Sequence, residues 1–238
     1  MRSRNPAWIC ATGLGVAFLA GCGSSSPAAM PAALDIAAPS ASPASLPQLR
    51  NIVLRAEDLP LGWAGEPYKA DPNASAISAS MVKCVGSRNT DSGKVSEAHS
   101  ATFTLNNARI SSSAASYRSQ KDPDADVAML HSPKVSSCFQ RQLTKQIATA
   151  LPAGATIESA SMHIALGSAG SPSNVVAVGT GTVTVAANGQ RTALHVSTAF
   201  ITGPLIEAEV DSFNVGKPVP ASVVKSLVAF VATRASAG

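Results

Sequence analysis

Charge and aromatic rings are scarce in this chain: 13% of its 238 residues are Asp, Glu, Lys or Arg, and 4% are Phe, Trp or Tyr. A formal charge of +4 with no basic stripe excludes the electrostatic footprint of a nucleic-acid binder. The four cysteines contain no CxxC pair, and no HExxH or paired Cys/His spacing occurs, so neither a metal site nor a redox pair is expected. "VGTGTVTV" (Val178–Val185) has a GxG but no third glycine at the required offset and no following helix, which excludes a phosphate cradle. Histidines fall at 99, 131, 163 and 195, evenly spaced, yet their surroundings share too little to be a repeat. Past the first segment no apolar run is long enough to span a membrane.

That first segment is informative. Arg2 and Arg4 precede "AWICATGLGVAFLAG" (Ala7–Gly21), an uncharged apolar stretch of signal-peptide length, about 15 residues against the roughly 20 a spanning helix needs. Small residues lie before Cys22, and Leu19, Ala20, Gly21 and Cys22 resemble a bacterial lipobox. Residues 1–21 are therefore expected to be removed, leaving Cys22 as an acylated N-terminus carrying diacylglycerol and palmitate-type chains. At about 0.8 kcal/mol per buried CH₂, two or three such chains anchor stably. Losing Arg2 and Arg4 lowers the formal charge from +4 to +2, so the basic balance is partly a property of the leader. From Gly23 to Pro47, 20 of 25 residues are Gly, Ser, Pro or Ala, a composition that cannot bury a core and reads as a disordered tether.

Residues 48–235 are long enough for one domain with a sizeable core. With Cys22 committed to lipid, Cys84 and Cys138 are left as a pair in an exported chain, and a disulfide is expected. Val135, Phe139, Leu143, Ile147 and Leu151 recur every four residues, predicting an amphipathic helix; a second is predicted over 221–234 behind Pro220. Alternation predicts strands at 96–106, 156–166, 174–186, 191–201 and 205–213, and the Ser/Ala-rich stretch 108–120 reads as a helix. The expected fold is α+β: an antiparallel meander packed by two or three helices.

Turns set the register. Asn188-Gly189 is a strong hairpin signal and pairs Thr182 with His195 and Thr180 with Ser197. For the next hairpin, a two-residue Gly203-Pro204 loop would set Phe200 against Glu207. A Thr202–Pro204 loop instead pairs Phe200 with Ile206, Val196 with Val210, Ser197 with Glu209 and His195 with Asp211. That choice collects Thr180, Thr182, His195, Ser197, Glu209 and Asp211 on one polar face, the candidate binding surface. The Thr182/His195/Asp211 row has the residue types of a hydrolytic triad, but a flat strand supplies neither an aligned hydroxyl nor an oxyanion site. "SMVK" and "SVVK" (from Ser80 and Ser222) match the SxxK of penicillin-recognising enzymes without the KTG or SDN that accompany it.

"LRAEDLPLGW" (Leu54–Trp63) resembles the "A-x-DLP-x-GW" opening of exported actinobacterial lipoproteins. With "CVG" at Cys84–Gly86 and the helical Cys138, the folded region resembles the outward-facing sensor-like domains of mycobacterial kinases and PsbP-like lipoproteins, although those sensors carry two cysteine pairs and this chain one. The resemblance implies an antiparallel sheet with packed helices and a groove, and a non-catalytic role. The expected protein is thus an outward-facing lipoprotein of the cell envelope, held to the membrane by its lipid anchor. It would bind or sense a small molecule, a lipid or an envelope protein, without cofactor, metal or nucleic acid. Carriage of lipid or lipoglycan against the apolar sheet face is the alternative, and a hydrolase the third reading.

Overall fold

The computed structural model describes residues 42–167 and 171–237. The signal segment, Cys22 and most of the tether lie outside these residues. The packed chain begins at Ala44, 4% exposed, earlier than composition suggested. Ser45 and Gln48 form a capping box, with Gln48 Oε1 accepting from Ser45 N at 2.8 Å, and this starts α1 (Leu46–Ile52) inside the expected tether.

The sheet is built around two long strands, β6 (Val175–Ala187) and β7 (Gln190–Gly203). Val, Thr and Ala alternate along them, and the hairpin turns at Asn188-Gly189, where φ is +52° and +73° as a type I′ turn requires. β5 (Thr156–Leu166) and β8 (Ile206–Val215) flank the pair, and β4 (Ala108–Tyr117) follows β8. Along the far edge of β4 run β2 (Lys94–His99) and β3 (Thr102–Leu105), with β1 (Ala64–Glu66) beyond β3. All pairings are antiparallel, and the order is β1-β3-β4-β8-β7-β6-β5 with β2 on β4.

Two expectations change here. Within the stretch 108–120, Ala108–Tyr117 is strand β4 rather than helix, because its small residues alternate buried and half-buried between neighbours on both edges. The single strand expected at 96–106 is two, broken where Ser100 Oγ accepts from Ser112 N at 2.9 Å. Ser and Ala discriminate weakly between helix and strand, so tertiary pairing decides.

Helices cover both faces, five α-helices among the described residues rather than two or three. On the inner half of one face, α1 and α5 (Ala221–Ala237) bury Leu49, Leu227 and Val231 against Ile110, Ile206 and Val210. On the other, α2 (Ala74–Val85), α3 (Lys121–Leu130) and α4 (Val135–Ala150) bury Met81, Leu130, Phe139, Leu143 and Ile147 against β5, β6 and β7. α4 matches its predicted four-residue stripe. Gly179 and Gly181 point to this apolar face, where side chains of Met162, Ile164 and Val196 stand 2.7–2.9 Å from where a Cβ would be. Gly203 has a different partner: a Cβ there would come within 2.2 Å of Ala235 O, so glycine admits the last turn of α5.

Two long-range links fasten the layers. Cys84 of α2 and Cys138 of α4 are joined, with Cα atoms 5.9 Å apart. The Asp58 carboxylate of the "DLP" phrase takes a two-pronged ion pair from Arg234 of α5 at 2.6 and 2.7 Å, closing both ends of the domain. Burial alone would raise the Asp58 pKa, but the Arg234 hydrogen bonds and the Arg55 backbone N–H outweigh it and hold the carboxyl below its ordinary range. Stability from this pair is present above that range and lost as pH falls through the folded value.

Arg234→Ala should cost about 2–3 kcal/mol in urea unfolding at pH 7, and progressively less as pH falls through the lowered folded value of Asp58. Breaking the disulfide, which spans 54 residues, should cost about 2–4 kcal/mol, read from the same transition with and without reductant.

Candidate functional site

The polar face is divided by the β7–β8 turn. Thr182 pairs with His195 and Thr180 with Ser197, as expected, and Thr182 Oγ1 lies 3.2 Å from His195 Nδ1. The β7–β8 register differs. The loop is Pro204-Leu205, so His195 faces Asn214, Ser197 faces Ser212, and Phe200 faces Glu209. Hydrophobic matching had favoured pairing Phe200 with Ile206, and it failed because the turn places Leu205 at φ +58°, a region Leu seldom occupies. Tertiary contacts hold it there. Leu205 is 7% exposed, its N–H donates to Gln120 Oε1 at 2.9 Å, and its carbonyl accepts from Tyr117 N at 2.8 Å.

Glu209 and Asp211 consequently leave the candidate face for the opposite side of the sheet. Asp211 pairs with Thr198, whose hydroxyl donates to Asp211 Oδ1 at 2.7 Å. The Thr182/His195/Asp211 row is therefore not assembled. What remains on the first face is a surface of hydroxyls and imidazoles without Glu209 or Asp211. Ser161, Thr182, His195 and Asn214 form one row across four strands, and His163, Thr180, Ser197 and Ser212 form the next. Thr180 and His163 are exposed; Thr182, His195 and Ser197 are half-buried. These rows lie on β5–β8 beyond the part of the face that α1 and α5 cover.

The opposite face gathers carboxyl groups that sequence reasoning did not bring together. Glu207, Glu209 and Asp211 alternate along β8, and α3 brings Asp126 over them. Asp126 and Glu207 hydrogen-bond each other, which needs a proton between two carboxyls. Thr90 Oγ1 donates to Asp126 Oδ2 and the Tyr117 hydroxyl to Glu207 Oε2, each at 2.7 Å. A cavity of about 40 Å³ lies between α3 and the sheet, bordered by Asp126, Glu207 and Glu209 on one side and Met129, Leu130 and Phe200 on the other. Nearby, Lys94 Nζ reaches Glu97 at 3.1 Å and Asp91 at 3.9 Å, and Tyr68 stacks on His99 with ring centroids 3.8 Å apart.

Burial is the main cause of the titration of this cluster. It pushes Asp126 up to about 9, with the Glu207 charge adding to the effect. Desolvation also raises Glu207, Glu209 and Asp211, the last to about 6. Three acids two residues apart on one strand face were legible in the sequence. Their partners Asp126, Tyr117 and Thr90 lie far along the chain, with no signal to connect them.

Among the described residues no group of three or more His, Cys, Asp or Glu is placed to hold a metal ion, and no helix is long and apolar enough to cross a membrane. No protein-family model, curated protein or solved structure matches this chain.

Since Asp126 prefers its proton in the folded state, its contribution to stability is full below the ordinary carboxylate range and is lost as pH rises toward about 9. Unfolding free energies measured between pH 5 and 9 should decline, and Asp126→Asn, which keeps a donor for Glu207, should flatten the decline and stabilise at pH 8 by on the order of 1 kcal/mol. An unchanged slope in the variant would place the buried proton elsewhere.

Proposed function

We propose that this chain is a membrane-tethered lipoprotein of the cell envelope, facing outward, whose folded domain binds or senses a ligand without catalysis. The observation that carries this reading is the separation of Asp211 from Thr182 and His195 on opposite faces of one sheet. It leaves an open hydroxyl and imidazole surface suited to hydrogen bonding, and no carboxylate in the row to work with the imidazole. The tether and lipid anchor rest on the lipobox-like Leu19–Cys22 and the Pro/Ala/Ser-rich segment behind it. Lipid carriage finds less support, because the apolar face it needs is filled by side chains of α2, α3 and α4.

The test uses the lipoprotein purified from its own membranes. Native mass spectrometry should detect a bound ligand, and Thr182→Val with His195→Ala should lower its occupancy about tenfold, equivalent to about 1.4 kcal/mol, with little change in melting temperature. Cys22→Ala should release the chain from the detergent phase. Ester turnover that disappears in His195→Ala would replace binding with hydrolysis.

A further inference from the structure

The Ser161–Thr182–His195–Asn214 row ends at an open pocket. At Asn214 it meets a cavity of about 340 Å³, within the range of small-ligand sites, which runs from roughly 300 to 1,000 Å³. The cavity forms where the β3–β4 turn, the end of β8 and the link into α5 converge, with Trp63 as one wall. Its lining divides by chemistry. Trp63, Leu105 and Val219 supply apolar surface, while Asn106, Asn107 and Asn214 supply amides and Lys217 a cation. Asn214 Oδ1 accepts from Val215 N at 2.8 Å, which fixes the side chain and leaves its NH₂ as a donor. Neither the indole N–H of Trp63, the amides of Asn106 and Asn107, nor the Lys217 ammonium has a hydrogen-bond or ion-pair partner among the described residues.

We propose that this cavity and the adjoining row bind a linear glycan bearing a carboxylate, with its acidic pyranose ring in the cavity against Trp63 and the neighbouring sugar units along the row. The inference rests on the binding-module reading and names its ligand class. Three features select it. Ser and Thr hydroxyls, amides and imidazole offer donors and acceptors, as sugar hydroxyls do, so a row of them matches a polyol rather than a polyanion. A half-buried indole offers a flat apolar face to the C–H face of a pyranose ring, with a polar N–H at its rim. Lys217 is the single charged residue lining the cavity, which fits one anionic group per bound ring and disfavours a nucleic acid. Four strands at about 4.8 Å spacing give the row a span of roughly 14 Å from Ser161 to Asn214, the scale of a short oligosaccharide.

The experiment is an NMR titration of the ¹⁵N-labelled mature lipoprotein in detergent micelles with two probes, a hyaluronan tetrasaccharide, which carries glucuronate, and neutral chitotetraose. With residues 1–21 removed, Trp63 is the one tryptophan left, and Trp63→Phe verifies its indole signal. The hyaluronan probe should shift the Trp63 indole resonance and the side-chain amides of Asn107 and Asn214 saturably. Lys217→Gln, at an exposed position, should weaken that probe five- to tenfold and leave chitotetraose unchanged. Trp63→Ala should weaken both at least tenfold, and should it fail to fold, Asn107→Ala is read in its place for a loss of at least threefold. Shifts confined to Thr182, His195 and Ser197 would overturn the cavity while keeping the binding face. Silence with both probes would overturn the glycan assignment, and equal binding of both, insensitive to Lys217→Gln, would overturn the carboxylate.

Discussion

The left-handed backbone at Leu205 is the constraint on which the arrangement of this domain depends. A side chain at positive φ costs on the order of 1 kcal/mol or more. That cost is offset by burying Leu205 and by hydrogen bonds from its backbone to Gln120 and Tyr117. The side-chain period of a strand is two, so the turn fixes the face of every residue in β8. Glu207, Glu209 and Asp211 go to one side and Ile206, Ala208 and Val210 to the other. A three-residue loop would have put the acids beside His195 and the isoleucine and valine beside the α3 cavity.

From that choice the two faces acquire different properties. The side receiving Ile206 and Val210 becomes the core beneath α1 and α5, and further out it becomes the hydroxyl and imidazole surface. The side receiving the acids must hold charge at low dielectric, and it does so by keeping protons. Asp126, Glu207, Thr90 and Tyr117 satisfy one another there, and α3 is tied to β8 by a shared proton in addition to apolar contact. Fully satisfied buried networks of this kind fix a unique packing, at the expense of sensitivity to pH.

Much of the fold was legible because it rests on local pattern. The stripe from Val135 to Ile147, the Asn188-Gly189 turn and the alternation in β5 to β8 identify α4, one hairpin and four strands, and the pairing of Cys84 with Cys138, expected from an exported chain, is the disulfide that forms. Ser111 to Ser116 could not be placed this way, since small residues carry little preference and β4 is a strand because β8 and β2 pair with it. The candidate site was legible up to the first turn: Thr180, Thr182, His195 and Ser197 share a face. Glu209 and Asp211 were misplaced because hydrophobic matching ranked a pairing of Phe200 with Ile206 above one with Glu207, and the observed pairing with Glu209 comes from a Pro204-Leu205 loop that was not weighed. The compensation for the acids comes from residues 80 to 120 positions earlier in the chain.

Ala44 and the cavity occupy opposite ends of β4. The Ala44 carbonyl accepts from Ser116 Oγ at 2.8 Å, while Ala108 lies at the cavity wall. At about 3.4 Å per residue, the eight residues between Ala108 and Ser116 separate the two by roughly 27 Å. Under the proposed anchoring, the domain would hang by its α1 end with the cavity directed away from the lipid. Load applied at Ala44 would pass through α1 and β4 into the core, leaving the Trp63 pocket at the unloaded end of the strand.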